Sequence, residues 1–223
     1  MKIIEIFGSL ECPYAYLMTY RLRQLKQELK GKIHVVWRAL SLEYINRNIV
    51  SRPDHDIEVA AIHHIEPDLP IGPWTGKDWG YPVTMWPGFE ALACAQAQGH
   101  EAAFEMSWAL RHAFFAEGRC ISLRHELLAV AENVAALNML DLEQFEADWD
   151  NGRYKSTVIA ESRLGWHGLK VNGSATLLLP DGKQVTNPGI GQVKIDKGNG
   201  AVIEYIPPQQ DPVEAYRKLL ELG

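Results

Sequence analysis

Hydrophobic residues at the start of the chain are arranged as a strand, a helix and a second strand. Residues 3–7 are almost all apolar, which is typical of a strand covered on both faces. Helical spacing follows from 13 to 30, and Gly31 provides a C-terminal stop. The apolar positions of this predicted helix are Met18, Leu22, Leu25 and Leu29. A second apolar run at 33–37 then predicts two parallel strands joined by a right-handed crossover.

A second α/β segment is predicted near the C-terminus. Residues 176–179 have the pattern of a short apolar strand, and further extended sequence includes 202–206. The last helix has a clear beginning at Asp211, which is placed to cap it. Pro212 follows at the first helical position and Glu214 completes a capping box.

The residues between these two parts, 41–169, are too many for a loop and carry several helical patterns. The patterned segments are 89–98, 101–116, 123–137 and 142–149. Ser122 and Asp141 are placed to cap two of these helices, and residues 153–166 are expected to lead back to the sheet. Residues 41–87 are rich in Pro, Trp, His and Gly, and we expect irregular structure there.

The order of these elements predicts an α/β protein in which a helical subdomain interrupts a smaller unit. Residues 1–40 and 170–223 would form that unit, and 41–169 would form the insertion, with an irregular first part. Of the 223 residues, 47% are hydrophobic, which is enough for a substantial core.

The net charge and the cysteine content limit the expected partners and the expected compartment. The net charge of −6 is spread along the chain without a basic block, so we expect neither nucleic acid nor a membrane as partner. No apolar leader precedes the first strand and no run is long enough to span a bilayer, so we expect a cytoplasmic protein. Three cysteines are too few for a disulfide framework and would remain thiols in a reducing compartment.

Cys12 and Pro13 form the most informative pair in the sequence. Proline suits the first position of a helix, which places Cys12 at the N-cap. A side chain there faces unpaired N–H groups and the positive end of the helix dipole, which favour the nucleophilic thiolate. We therefore expect Cys12 to be a catalytic thiol with a lowered pKa. The alternative is that Cys12 is only a small buried hydrophobic residue.

Residues 8–16 and the order of the elements resemble the DsbA-like thioredoxin family. The resemblance implies a thioredoxin fold with an inserted helical subdomain, and a disulfide oxidoreductase activity. Residues 12–17, Cys-Pro-Tyr-Ala-Tyr-Leu, are similar to the Ser-Pro-Tyr-x-Tyr-Leu of kappa-class glutathione transferases and 2-hydroxychromene-2-carboxylate isomerases. Residues 113–119 also resemble a helix end in the inserted subdomain of those proteins.

Two positions depart from the family pattern. Ala15 stands where the second cysteine of a Cys-Pro-x-Cys motif would be, so no disulfide can form within the motif. Ala175 stands where the family has a cis-proline. A cis bond before another residue costs about 2.5–4 kcal/mol, so we expect a trans peptide and a changed docking surface. Ordinary disulfide oxidation is therefore not expected.

The resemblance implies a glutathione site around these positions. The backbone near Ser174 and Ala175 would pair with the cysteinyl part of glutathione or of a peptide, as an added strand. Ser9, Tyr14 and Tyr16 are the other candidate binding residues, although aromatic packing is an alternative for the two tyrosines. No tightly bound cofactor is expected, and glutathione would act as a cosubstrate.

These features leave three functions open. The first is an oxidoreductase-family enzyme that acts through Cys12 on disulfides or glutathione-linked substrates. The second is a glutathione-dependent isomerase or transferase, and the third is a binding module without catalysis. The expected partner is a small thiol or another small molecule, and the resemblance also allows a homodimer.

Other reactive residue types are interpreted as structural. Cys94 lies on an apolar helix and is expected in the core, whereas Cys120 precedes a predicted helix and could face the site. Residues 54–56, Asp-His-Asp, and the histidines at 63–64 have the chemistry of metal ligands. Their spacing fits no familiar zinc pattern, so we expect a polar loop and no metal.

Overall fold

The computed structural model describes residues 1–196 and 202–222, and a four-stranded sheet forms the base of the fold there. Its strands are β1 (Lys2–Gly8), β2 (Ile33–Ala39), β3 (Thr176–Leu178) and β4 (Gln184–Thr186). They lie in the order β2-β1-β3-β4. β1 and β2 are parallel, as predicted, whereas β3 is antiparallel to both β1 and β4. This is the topology expected of a thioredoxin fold. A separate antiparallel ribbon joins β5 (Gln192–Ile195) to β6 (Val202–Ile206).

Helices cover this sheet and build the insertion. They are α1 (Pro13–Gln24), α2 (Lys26–Leu29), α3 (Leu42–Asn46), α4 (Arg52–Ile65), α5 (Trp86–Gln98), α6 (His100–Phe115), α7 (Arg124–Ala135), α8 (Leu142–Asp150), α9 (Lys155–Arg163) and α10 (Pro212–Leu220). A 3-10 turn at Asp78–Gly80 and a π-helical turn at Leu164–Gly168 complete the described elements. None of the described helices has the length and apolar character needed to cross a membrane.

The first predicted helix is interrupted at Leu25. All four predicted apolar positions are buried, and Gly31 has the positive φ of 73° expected after a helix end. The prediction of one helix over 13–30 is wrong, however, because α1 ends at Gln24 and the short α2 follows. The N–H of Leu25 donates to the Leu22 carbonyl (3.1 Å), a tighter turn that keeps the Leu25 side chain in the core.

The helices of the insertion largely follow the predicted pattern. The four patterned segments correspond to α5–α8, and the two acidic caps are confirmed. Asp141 accepts a hydrogen bond from the Gln144 N–H (3.0 Å), and Asp211 accepts one from the Glu214 N–H (3.0 Å). Ser122 does not cap α7, because its hydroxyl donates to the Thr84 carbonyl instead.

The prediction of irregular structure over 41–87 is wrong in its first half. Ser41 and Ser51 each cap a helix, since their hydroxyls accept hydrogen bonds from the N–H groups three residues later. α4 buries only a narrow face that includes Val59 and Ile62, and for this reason its hydrophobic pattern is weak. Residues 54–56 therefore lie in a helix, and the expected polar loop is also wrong.

The larger of two hydrophobic clusters among the described residues runs from the sheet into the insertion. It contains Ile6 and Leu22 from the first part of the chain together with Phe89 and Phe114 from the insertion. The predicted boundaries between the smaller unit and the insertion, at residues 40 and 170, stay a prediction. Within its last range, 197–201 and 223 lie outside the described residues.

Candidate active site

Cys12 is the N-cap residue of α1, as the sequence predicts. β1 ends at Gly8, a short buried loop follows, and Pro13 occupies the first helical position. The Cys12 carbonyl accepts hydrogen bonds from the N–H groups of Ala15 (3.0 Å) and Tyr16 (3.2 Å), which begins the helix. The Cys12 side chain lies under the surface, because only 7% of the residue is exposed.

The backbone of Ser174 lies directly against Cys12. The Cys12 thiol donates to the Ser174 carbonyl (3.3 Å), and the Ser9 N–H donates to the Ser174 hydroxyl (2.8 Å). Three predicted site residues, Cys12, Ser9 and Ser174, are thus brought together across a sequence separation of more than 160 residues. Ala175 follows, immediately before β3, and is completely buried.

The Ser174–Ala175 peptide bond is cis, so the expectation of a trans bond is wrong. Asn187 surrounds this peptide with hydrogen bonds. Its Oδ1 accepts from the Ala175 N–H (2.9 Å), its own N–H donates to the Ala175 carbonyl (3.0 Å), and its Nδ2 donates to the Ser174 carbonyl (3.3 Å). A proline at 175 has no N–H and could not make the first of these bonds. Asn187 therefore holds the Ser174 carbonyl and both polar groups of the Ala175 backbone with three hydrogen bonds.

The expectation of an acidified Cys12 is also wrong. Burial raises the pKa of the Cys12 thiol to about 11, although hydrogen bonds from Ser174 and from the N–H groups of Ala15 and Tyr14 act in the opposite direction. The dipole at a helix N-terminus stabilises a negative charge by about 0.3–1 kcal/mol, which lowers the pKa of a thiol by less than one unit. Full burial shifts a pKa by up to about 3–5 units, so burial outweighs the helix.

Alkylation of Cys12 is therefore expected to be slow at neutral pH. Because the thiolate is the reactive form, the rate with iodoacetamide should keep rising about tenfold per pH unit above the pKa of a free thiol, about 8.5. The rate is measured by mass spectrometry of the peptide that carries Cys12, and Cys12→Ser corrects for Cys94 and Cys120. A plateau below about pH 8.5 would show instead an acidified thiol.

Arg111 is a site residue that the sequence interpretation missed. It lies on α6 with none of its surface exposed. Its Nη1 donates to the Ser107 hydroxyl (2.7 Å), its Nη2 donates to the Ser9 carbonyl (3.4 Å), and its guanidinium lies 4.5 Å from the centre of the Trp37 ring. Arg111 forms no ion pair with a carboxylate in the part of the chain that the structure describes.

The electrostatic partner of Arg111 is Cys12. Burial lowers the pKa of Arg111 to about 9, and the Cys12 charge raises it. The guanidinium is therefore positively charged at neutral pH, within electrostatic reach of the thiol. An arginine within the apolar stripe of a predicted helix, one turn after Ser107 and three residues before Phe114, is the signal that could have revealed it.

The two candidate tyrosines have different environments. Tyr16 is completely buried, stacks on Phe115 with ring centres 5.2 Å apart, and donates to the Pro70 carbonyl (3.2 Å). Tyr16 therefore has the environment expected for aromatic packing, which was the alternative to substrate binding. Tyr14 is half-buried, and burial together with the nearby Glu58 and Cys12 charges raises its pKa to about 12. Tyr14 therefore lies at the rim of the site.

The other candidate residues lie elsewhere in the fold. Cys94 is buried in the core, as predicted, and Cys120 is half-buried between α6 and α7. All three cysteines are free thiols. His55 is buried and stacks on Phe115, with ring centres 5.5 Å apart. Among the described residues, no group of three or more His, Cys, Asp or Glu side chains is arranged to hold a metal ion.

Cys12 lies at the N-terminus of α1 and faces the cis peptide that Ser174 begins, and the sheet has the order β2-β1-β3-β4. These features define a protein of thioredoxin fold with a single thiol at its candidate site. Comparison of the sequence with models of protein families agrees with this class. The chain belongs to the DSBA-like thioredoxin domain family, whose model matches residues 3–196. No curated protein sequence matches the chain.

Solved structures have the same fold. The cytosolic disulfide reductase DsbM from Pseudomonas aeruginosa, solved with GSH, is 20% identical with a TM-score of 0.61, over 82% of this chain and 88% of that one. A 2-hydroxychromene-2-carboxylate isomerase is 18% identical with a TM-score of 0.56, over 82% of this chain and 88% of that one. At such identities the similarity establishes the fold and leaves the reaction open.

Proposed function

We propose that the protein is a single-thiol oxidoreductase that exchanges Cys12 with the disulfide of a glutathione-linked substrate. The observation that carries this proposal is the contact between the Cys12 thiol and the Ser174 carbonyl (3.3 Å). When Cys12 loses its proton, this carbonyl loses a donor and becomes able to accept one from the backbone of a substrate. A disulfide bound along residue 174 would then lie beside the sulfur that attacks it.

The reaction proceeds in two exchange steps. The Cys12 thiolate attacks the glutathione sulfur of a mixed disulfide, forms a bond with it, and releases the substrate thiolate, which takes up a proton. Ala15 offers no second thiol, so a free glutathione thiolate attacks next. This attack regenerates Cys12 and releases glutathione disulfide. The net reaction consumes one glutathione and one mixed disulfide, and it needs a compartment such as the cytoplasm that supplies reduced thiols.

Other residues of the site support this proposal. The Cys12 charge raises the pKa of Arg111, so the Arg111 guanidinium would stabilise a Cys12 thiolate against the effect of burial. The structural similarity to a disulfide reductase solved with GSH is consistent with glutathione as the second thiol. The site requires no bound cofactor for these steps.

Glutathione-dependent reduction of a peptide–glutathione mixed disulfide tests the proposal. We expect the wild-type protein to accelerate release of glutathione disulfide, measured by coupling to glutathione reductase, and Cys12→Ser to remove the acceleration completely. Mass spectrometry of the protein after mixing without free glutathione should show a glutathionyl adduct on Cys12. A wild-type rate equal to that of Cys12→Ser would refute the proposed exchange.

The protonated state of Cys12 favours a second candidate function. At a pKa of about 11 the group is a thiol near neutral pH and can donate a hydrogen bond. A donor at this position could hold the thiolate of glutathione while that thiolate attacks a small aromatic substrate, as in a glutathione-dependent isomerase. Cys12→Ser separates the two functions, since a hydroxyl still donates but cannot form a disulfide.

A further inference from the structure

A cavity of about 540 Å³ opens next to the loop that carries Cys12. Glu11 forms part of its wall, although only 1% of this residue is exposed. One carboxylate oxygen of Glu11, Oε2, accepts a hydrogen bond from the Val50 N–H (3.0 Å). The other oxygen, Oε1, has no hydrogen-bond partner among the described residues. A buried carboxylate oxygen without a donor is costly, which points to a missing donor at this position.

The cavity carries negative charge and no positive charge on its lining residues. Asp54 and Glu58, both on α4, line it together with Glu11, and none of the described Lys, Arg or His residues does so. The remaining wall is partly apolar and includes Leu42, Ile49 and Ile57. Such a site favours a short carbon chain that ends in a cationic hydrogen-bond donor.

The charges of this cavity reach Cys12. Glu11, in the cavity wall, directly precedes Cys12 in the chain, and the Glu58 charge from the same wall raises the pKa of Glu11, of Cys12 and of Tyr14. Burial, followed by the charges of Glu43 and Glu58, raises the pKa of Glu11 to about 7 despite hydrogen bonds from the backbone. A cation that enters the cavity would therefore favour the charged form of Glu11.

We propose that this cavity binds the ammonium group of a small aminothiol-derived disulfide, and that Glu11 selects such substrates for reaction at Cys12. This inference rests on the proposed exchange function and names the class of substrate. Glutathione also has an ammonium group, but its two carboxylates would meet three acidic side chains here. The glutathionyl half of a mixed disulfide therefore belongs on the Ser174 side, and the aminothiol half on the Glu11 side.

Three disulfides that differ mainly in their end groups test this selection. Cystamine ends in ammonium groups, dithiodiethanol in hydroxyls and dithiodipropionate in carboxylates. We expect kcat/KM in glutathione-dependent reduction to be highest for cystamine and lowest for dithiodipropionate. Glu11→Gln keeps the size of the side chain and an acceptor for Val50. It should lower the ratio of kcat/KM for cystamine over dithiodiethanol about tenfold, the size expected for one lost charge-assisted hydrogen bond.

A matched control and a binding measurement complete the test. Glu143→Gln makes the same charge change on an exposed position of α8 and should leave the ratio unchanged. Hexamethylenediamine has the length of cystamine but no disulfide, so calorimetry with Cys12→Ser measures the cavity alone. Binding of this diamine, but not of hexamethylene glycol, supports the cavity proposal even if no disulfide is reduced, in which case the exchange function fails. The role of Glu11 is overturned if the wild type shows no higher kcat/KM for cystamine than for the other disulfides. It is also overturned if Glu11→Gln lowers kcat/KM equally for all three disulfides.

Discussion

Arg111→Met is expected to slow the reaction of Cys12 with disulfides about tenfold at neutral pH. The variant removes a buried positive charge whose ionisable neighbour is Cys12. A modest interaction of about 1.4 kcal/mol between the two charges is well below the about 4 kcal/mol of a contact pair at an effective dielectric constant of about 20. That energy corresponds to about one pKa unit, so the thiolate fraction below the pKa falls about tenfold. Methionine fills much of the same volume, so the packing around Trp37 changes little.

The pH profile distinguishes this electrostatic role from a purely structural one. The profile of alkylation at Cys12 should move to higher pH in Arg111→Met. Arg111→Lys keeps the charge but loses the planar group over Trp37, and should recover part of the shift. If the profiles of Arg111→Met and the wild type coincide, Arg111 serves only in packing. Circular dichroism checks that both variants are folded.

Asn187→Gly is expected to lower the free energy of unfolding by about 1–3 kcal/mol. The substitution removes the acceptor of the buried Ala175 N–H and one donor to the Ser174 carbonyl. Asn187 has a φ of 47°, which glycine adopts without strain. The decrease in the free energy of unfolding therefore measures the lost side-chain hydrogen bonds. Asn187→Ala should cost about 1–2 kcal/mol more, because alanine disfavours this left-handed conformation.

Urea unfolding of the three proteins measures this difference. The wild type should unfold at the highest urea concentration and Asn187→Ala at the lowest. The glycine variant should also show slower exchange at Cys12, because the Ser174 carbonyl that faces the thiol has lost one of its two side-chain donors. If the glycine variant unfolds at the same urea concentration as the wild type, solvent replaces the Asn187 amide without loss.

The correct predictions from the sequence depend on interactions between residues that are close together in the chain. The β1-α1-β2 unit, the caps at Asp141 and Asp211, and the place of Cys12 follow from neighbouring residues, and the structure has each of them. α4 was missed because its buried face is narrow and its first turn is polar. The interruption at Leu25 was missed because a tighter turn leaves the pattern of buried residues unchanged.

The errors at the active site have a tertiary cause. The absence of proline at 175 suggested a trans peptide, but the bond is cis, and the Asn187 amide, twelve residues later, accepts a hydrogen bond from the Ala175 N–H. The helix N-terminus suggested an acidic Cys12, but the folded chain buries it and places the Ser174 carbonyl, 162 residues later, against the thiol. Arg111 and Glu11 matter because of what surrounds them, which the spacing of residues in one sequence does not reveal.

The central position of β1 has a consequence for synthesis of the chain. One edge of β1 pairs with Ile33–Ala39, which leaves the ribosome soon afterwards, whereas the other edge pairs with Thr176–Leu178. During translation of the whole helical insertion, that second edge has no partner strand. Contacts across such sequence distances form slowly, and an open edge invites pairing with other chains. The second edge of β1 is therefore covered only after the whole insertion has been made.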